Sequence, residues 1–240
     1  MPSAPGRGTL SVMGARKALA VMFKAPEAGR VKTRLVPPLT ADEAASLYRS
    51  FLADTFALAS AVEGADRFGV YSPDDALSRV RALVPPGWRL EPQRGRDLGE
   101  RLLRLFAGLF ARGYARAAVI GGDSPDLPPR LIAEAFSRLD GGDDVVLVPA
   151  DDGGYCLIAM SGPHGAPFRE VPWSSERVLD VTVARLEEAG LRFSLLEPWR
   201  DVDRPGDLAA LMESAAAPAS RAWLEKAGVA LRLRAARKSC

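Results

Sequence analysis

A chain of 240 residues with 48% hydrophobic and 26% charged residues can bury a sizeable core without metals or disulfides, and one α/β domain is the expectation. Its two cysteines, Cys156 and Cys240, and its single histidine, His164, exclude a disulfide framework, a His/Cys zinc site and, with no GxSxG elbow, a serine triad. The net charge of +2 conceals an asymmetry. Arg7, Arg16, Lys17, Arg232, Arg234, Arg237 and Lys238 stand at the two ends with no acid beside them, and removing those seven leaves about −5 for the body. An acidic body with basic ends read as solvated tails argues against a nucleic-acid surface. With no apolar h-region at the start and no run of about 18 apolar residues, a cytoplasmic chain without membrane insertion is expected.

In chain order, KALAVMF (17–23) reads as a buried strand that stops at the loop of Pro26 and Gly29. Thr40 and Glu43 form a capping box, and the apolar spacing that follows predicts a helix over 41–62. RFGVYS is a strand, DDALSRVRALV a helix, WRLEPQ a strand, LGERLLRLFAGLFARGY a helix and AAVIGGD a strand. Strands alternating with helices call for a mostly parallel, Rossmann-like sheet covered on both faces. The helix PRLIAEAFSRL, the strand DVVLVPA and the run YCLIAM follow, the last two separated only by DDGG, which suggests an antiparallel excursion or a hairpin at that edge of the sheet. SERVLDVTVARLEEAG then gives a helix, RFSLLEPW a strand, and DVDRPGDLAALMES turns into a final helix.

In such sheets ligands bind beyond the carboxyl ends of the strands. Asp123, in GGDSPDLP after the strand ending at Ile120, is placed to coordinate a Mg²⁺ or Mn²⁺ ion bridging two phosphates, with Gly122 letting a ligand approach the backbone. Asp126 suits the capping of the next helix. KAPEAGRVKTRL sets Lys24, Arg30, Lys32 and Arg34 around a small-residue turn, either a grip for a di- or triphosphate or a solvated basic loop. It is neither a P-loop nor a GxGxxG motif. In DVDRPGDL, Asp203 is the candidate second metal carboxylate, while Asp201 and Asp207 are assigned to backbone groups at the start of the helix. Asp151 and Asp152 precede Gly153 and Gly154, which form either a plain turn or a site for the sugar or acceptor. Asp152 is the candidate to take the acceptor's proton. Trp173, in PWSSERVL, either belongs to the core or walls a pocket.

The blocks KAPEAGRVKTRL, QRGRDLGERL, GGDSPDLP, DDGGYCLI, PWSSERVL and DVDRPGDL resemble, in order, those of a bacterial glycosyltransferase family of GT-A fold. That family is described as domain of unknown function 2064 or as arsenosugar-biosynthesis-type glycosyltransferases. It is similar in turn to the molybdenum-cofactor and phospholactate guanylyltransferases, although their glycine-rich opening loop is replaced here by KAPEAGRVKTRL. The resemblance implies a GT-A nucleotide-diphospho-sugar transferase fold over 17–213, and the residues outside it read as a disordered extension (1–16) and a C-terminal helical segment with a basic tail (214–240). It implies Asp123 and Asp203 at the metal and Arg30, Lys32 and Arg34 at the phosphates. The expected partners are a nucleotide or nucleotide-sugar and a small-molecule acceptor. Glycosyl transfer is the favoured chemistry, nucleotidylyl transfer with release of pyrophosphate the alternative, and a non-catalytic nucleotide-binding module the third reading.

Overall fold

The computed structural model describes residues 15–230 and 232–233. The expected extension therefore lies outside the described residues except for Ala15 and Arg16, and so do Arg234, Arg237 and Lys238 of the basic tail. Strand β1 (Lys17–Lys24) is the hub, buried at Ala18 through Phe23. It pairs in parallel with β2 (Ala65–Ser72) on one side and β4 (Arg116–Gly121) on the other. With β3 (Arg89–Pro92), β5 (Val145–Pro149), β6 (Tyr155–Met160) and β7 (Phe193–Leu195), the sheet runs β3-β2-β1-β4-β6-β5-β7. Every neighbouring pair is parallel except those of β6, which runs antiparallel to β4 and β5.

The antiparallel excursion is thus present, but the hairpin does not lie at an edge. β6 doubles back into the sheet between β4 and β5. The reason is burial: all five residues of β5 and all of β6 after Tyr155 are buried, so neither strand has a polar side to show at an edge.

Helices cover both faces. On one, α1 (Ala41–Ser60) and α4 (Pro129–Asp140) bury Leu47, Phe51, Phe56, Leu131 and Ile132 against β1 and β4. On the other, α3 (Leu98–Ala111) and α5 (Val178–Glu188) bring Leu102, Phe106, Leu109 and Leu186. The capping box forms as expected: the Glu43 amide donates to Thr40 Oγ1 at 3.2 Å, and the Thr40 amide donates to Glu43 Oε2 at 2.8 Å. The helix expected over 74–84 shrinks to α2 (Leu77–Val80) and a 3₁₀ turn (Arg81–Leu83). Only the small Ala76 and Val80 are fully buried in this stretch, and Pro85 and Pro86 follow at once.

After α6 (Asp207–Glu213), α7 (Pro218–Lys226) lies on α1. Asp54, buried within α1, accepts the Ala219 and Ser220 amides at 2.9 and 2.8 Å and the Ser220 hydroxyl. Three of the end charges read as solvated also belong to the body: Arg16 pairs with Asp66, Lys17 with Asp140 and Arg232 with Glu43. Their acids come from distant segments, which sequence neighbourhood does not show. Among the described residues no helix is long and apolar enough to cross a membrane.

Candidate active site

Because β1, β4, β5 and β7 are parallel, their carboxyl ends open on one edge, and four loops meet there. Asp123 follows β4 by two residues. Its carbonyl accepts the Val202 amide at 2.9 Å, which ties the loop after β4 to the segment 201–203. That segment alternates: Val202 is fully buried, while Asp201 and Asp203 on either side of it turn towards Asp123. With Lys32 from the loop after β1 and Asp152 from the β5–β6 turn, these acids line a cavity of about 160 Å³.

The electrostatics are unusual for a surface cleft. The Lys32 side chain is only 4% exposed; its Nζ lies 2.6 Å from Asp123 Oδ1 and donates to the Val202 carbonyl at 2.7 Å. The ammonium also faces the rings of Tyr48 and Phe51, at 5.9 and 5.5 Å from their centroids. Arg34, more exposed, holds Asp203 at 2.7 Å. Asp201 accepts the Ser124 hydroxyl. Burial, with the charge of Asp123 adding to it, pushes the Asp201 carboxyl up to about 6. The buried Tyr48 phenol is raised by burial and by the same charge, and the Cys156 thiol beside the cavity is raised by burial and by Asp201.

Two residues assigned to capping serve otherwise. Asp126 does not cap α4, whose N-cap is Pro128 with no side-chain cap. It is fully buried, accepts Trp199 Nε1 at 3.1 Å and pairs with Arg200, so it pins the loop after β7 against the loop after β4. Asp201 does not satisfy the helix start either. Asp207 alone does so, accepting the amides of Asp203 and Arg204 at 2.9 and 2.7 Å. Sequence reasoning missed Asp201 as a cavity residue. The available signal was its two-residue spacing from Asp203 across an apolar Val202, the period of an extended segment.

The other expected residues divide. Lys24 is exposed at the end of β1, and Arg30 is exposed with Glu27 at 3.8 Å; neither lines the cavity. Gly122 is buried, and a Cβ there would come within 2.9 Å of the Tyr48 hydroxyl and 2.8 Å of Leu52 Cδ2, so packing against α1 requires the glycine rather than a ligand's approach. Gly153 has φ +83° and a Cβ would meet the Glu176 carbonyl oxygen at 2.1 Å, which fixes the turn that carries Asp152. The Gly154 amide donates to Asp152 Oδ1 at 3.0 Å. Trp173 is half-buried over Gly99 at the start of α3, where a Cβ would come within 2.5 Å of its indole nitrogen; it packs with the core on that face and does not line the cavity.

Known proteins share this architecture. A crystal structure from Desulfovibrio desulfuricans, provisionally described as a nucleotide-diphospho-sugar transferase, is 30% identical, with 92% of this chain and 97% of that one covered at a TM-score of 0.83. A CMP:2-keto-3-deoxy-manno-octonic acid synthetase complexed with CTP shares the fold at 13% identity and TM-score 0.55, over 83% of this chain and 98% of that one. A Mycobacterium tuberculosis protein solved as a manganese complex shares it at 19% identity and TM-score 0.51, over 83% and 100%. No curated protein matches the sequence. Residues 55–175, which include Asp123 and Asp152, match a family described as uncharacterized proteins conserved in bacteria, DUF2064. The match and the 30% identical relative together establish that the chain belongs to that family.

Proposed function

We propose that this chain is a divalent-metal-dependent transferase that takes a nucleotide-diphospho-sugar and passes the sugar to the hydroxyl of a small-molecule acceptor. The observation that carries the reading is the set of carboxylates Asp123, Asp201, Asp203 and Asp152 around one cavity at the strand tips, with Lys32 and Arg34 among them. Its 30% identical relative is provisionally described as a nucleotide-diphospho-sugar transferase.

The donor set suits Mg²⁺ or Mn²⁺. Carboxylate oxygens are the ligands such ions choose, and a cation already sits on Asp123 in the form of the Lys32 ammonium. Among the described residues no three acids, histidines or cysteines converge to cage an ion unaided. Asp123 and Asp203 would therefore hold it together with phosphate oxygens of the substrate and water, the usual manner for Mg²⁺. The manganese-bound protein of the same fold supports the choice of metal. When bound, the ion neutralises the diphosphate and eases its departure.

The chain's own residues do the rest. The Arg34 guanidinium offers a fork to phosphate oxygens, and Lys32 a point charge. The acceptor oxygen bonds to the anomeric carbon as the bond from that carbon to the diphosphate oxygen breaks, and the nucleoside diphosphate leaves with the electron pair. Asp152 is the base that receives the hydroxyl proton. Asp126 and Arg200 hold the loops in register.

The same cavity would serve nucleotidylyl transfer, the reading favoured by the fold shared with the CTP-bound synthetase. ³¹P spectra of the protein with nucleotide-sugars or nucleoside triphosphates, each with Mg²⁺ or Mn²⁺ and candidate acceptors, separate the outcomes. Release of a nucleoside diphosphate from a nucleotide-sugar is expected. Release of pyrophosphate from a triphosphate would replace the first reading by the second, and metal-dependent binding with no turnover of either would point to a binding module.

A further inference from the structure

Lys32 is costly to place where it is. Its backbone is in the left-handed region, at φ +48°, which a residue with a Cβ adopts only when its surroundings hold it there. Its ammonium, a compact and strongly hydrated charge, is almost wholly removed from water. Burial of that kind is tolerated when strong partners compensate, and here they are the Asp123 carboxylate, the Val202 carbonyl and two aromatic faces. The oxygen it occupies, Asp123 Oδ1, belongs to the same carboxylate that the proposed metal needs. A second cation brought onto that carboxylate would stand a few ångströms from the ammonium in a poorly screened site, where like charges repel strongly.

We propose that Lys32 is a built-in counter-cation that competes with the divalent ion for Asp123, so that the ion binds firmly only when a substrate phosphate draws the ammonium away. This rests on the metal-dependent reading above and adds an order to it: phosphate and metal bind as mutually reinforcing ligands, and the resting site is balanced by the chain's own lysine. The geometry supports such an exchange. The phosphate oxygens would enter the cavity that Lys32 lines beside Arg34's partner Asp203, and a lysine stem can swing its head between acceptors on one side of a cavity.

The test is Mn²⁺ binding by electron paramagnetic resonance on the full chain, with and without inorganic pyrophosphate as a base-independent probe, free Mn²⁺ being corrected for chelation in solution. Wild type should bind Mn²⁺ weakly alone and more tightly with pyrophosphate. Lys32→Met should bind Mn²⁺ alone about tenfold or more tightly than wild type, the scale of an ordinary coupling between sites, and gain less from pyrophosphate. A lysine that merely props the loop would give the reverse, and equal or weaker Mn²⁺ affinity in a folded Lys32→Met would overturn the proposal while leaving a metal site standing. No Mn²⁺ bound by either protein, with or without pyrophosphate, would overturn the metal-dependent reading and this one with it. Should Lys32→Met fail to fold, reductive methylation of wild type decides: Lys32 should be protected without metal and lose that protection as Mn²⁺ alone is raised to saturation. Continued protection at saturating Mn²⁺ would overturn it.

Discussion

At Asp123 a single side chain meets a cation from the first loop and two acids from the last, so residue-scale changes should separate binding from folding. Arg34 is more than half exposed and, among the described residues, pairs with Asp203. Arg34→Ala should therefore leave stability within about 0.5 kcal/mol of wild type while weakening nucleotide binding by about 1.5–3 kcal/mol, the usual worth of a hydrogen bond to a charged group; calorimetric titration reads both the affinity and its loss. Asp126→Ala should do the opposite and destabilise by about 3 kcal/mol in urea, because it strands Arg200 and the Trp199 indole N–H beside a buried void. Unchanged stability would show that the loops are held by other contacts. Asp123 and Asp203 were legible because strand tips of an α/β sheet are where ligand groups belong. Asp201 and Asp126 were not, since an acid just before a helix gives the same local signal whether it caps that helix or reaches across to another loop. Nor did the sequence separate buried Lys32 from exposed Arg30 two residues away: the turn that directs one inward and the other outward depends on a left-handed lysine backbone, a conformation rare enough that no residue type announces it.

Helices are held through their ends and their docking. Asp54→Ala removes the acceptor for two amides and a hydroxyl at the start of α7 and should cost about 2 kcal/mol or more, with amide hydrogen exchange accelerating in α7 before the rest of the chain. An acid in the middle of a helix pattern reads as a solvated position, and only the docking of α7 explains its burial; that part of the fold was invisible in the sequence. At the start of α3, Glu100 accepts the Arg96 amide and pairs with the Arg104 and Arg96 side chains, and these contacts lower its carboxyl to about 2. A carboxyl held lower in the folded than in the unfolded chain contributes stability that is complete above its ordinary value near 4.5 and is lost as pH falls towards 2. Denaturation midpoints of Glu100→Gln should therefore lie below wild type at neutral pH and draw level with it as pH falls through that window, with a smaller difference in high salt because its partners Arg96 and Arg104 are exposed. A difference that persisted below pH 2 would assign the effect to packing instead.

The molecule as a whole is a mostly parallel sheet whose strand tips on the β4, β5 and β7 side carry acids and whose β1 loop carries the cations that answer them. That much of the architecture follows from alternating strands and helices, each read from a period of its own. The order of the strands did not follow: the hairpin was recognisable from DDGG, but its insertion between β4 and β5 is a property of the assembled sheet, set by the burial that both faces of β5 and β6 demand. The β5–β6 turn carries Asp152 to the same cavity as Asp123, and the bond from Lys32 to the Val202 carbonyl joins residues 170 positions apart along the chain beside it. The most direct test of the central claim is binding of nucleotide-diphospho-sugars by wild type and Asp123→Ala with and without Mn²⁺, followed by calorimetry alongside circular dichroism. Wild type should bind a donor far more tightly with the ion than without it, and Asp123→Ala should keep its fold and lose that dependence. Metal-dependent binding that survives intact in a folded Asp123→Ala would contradict the account.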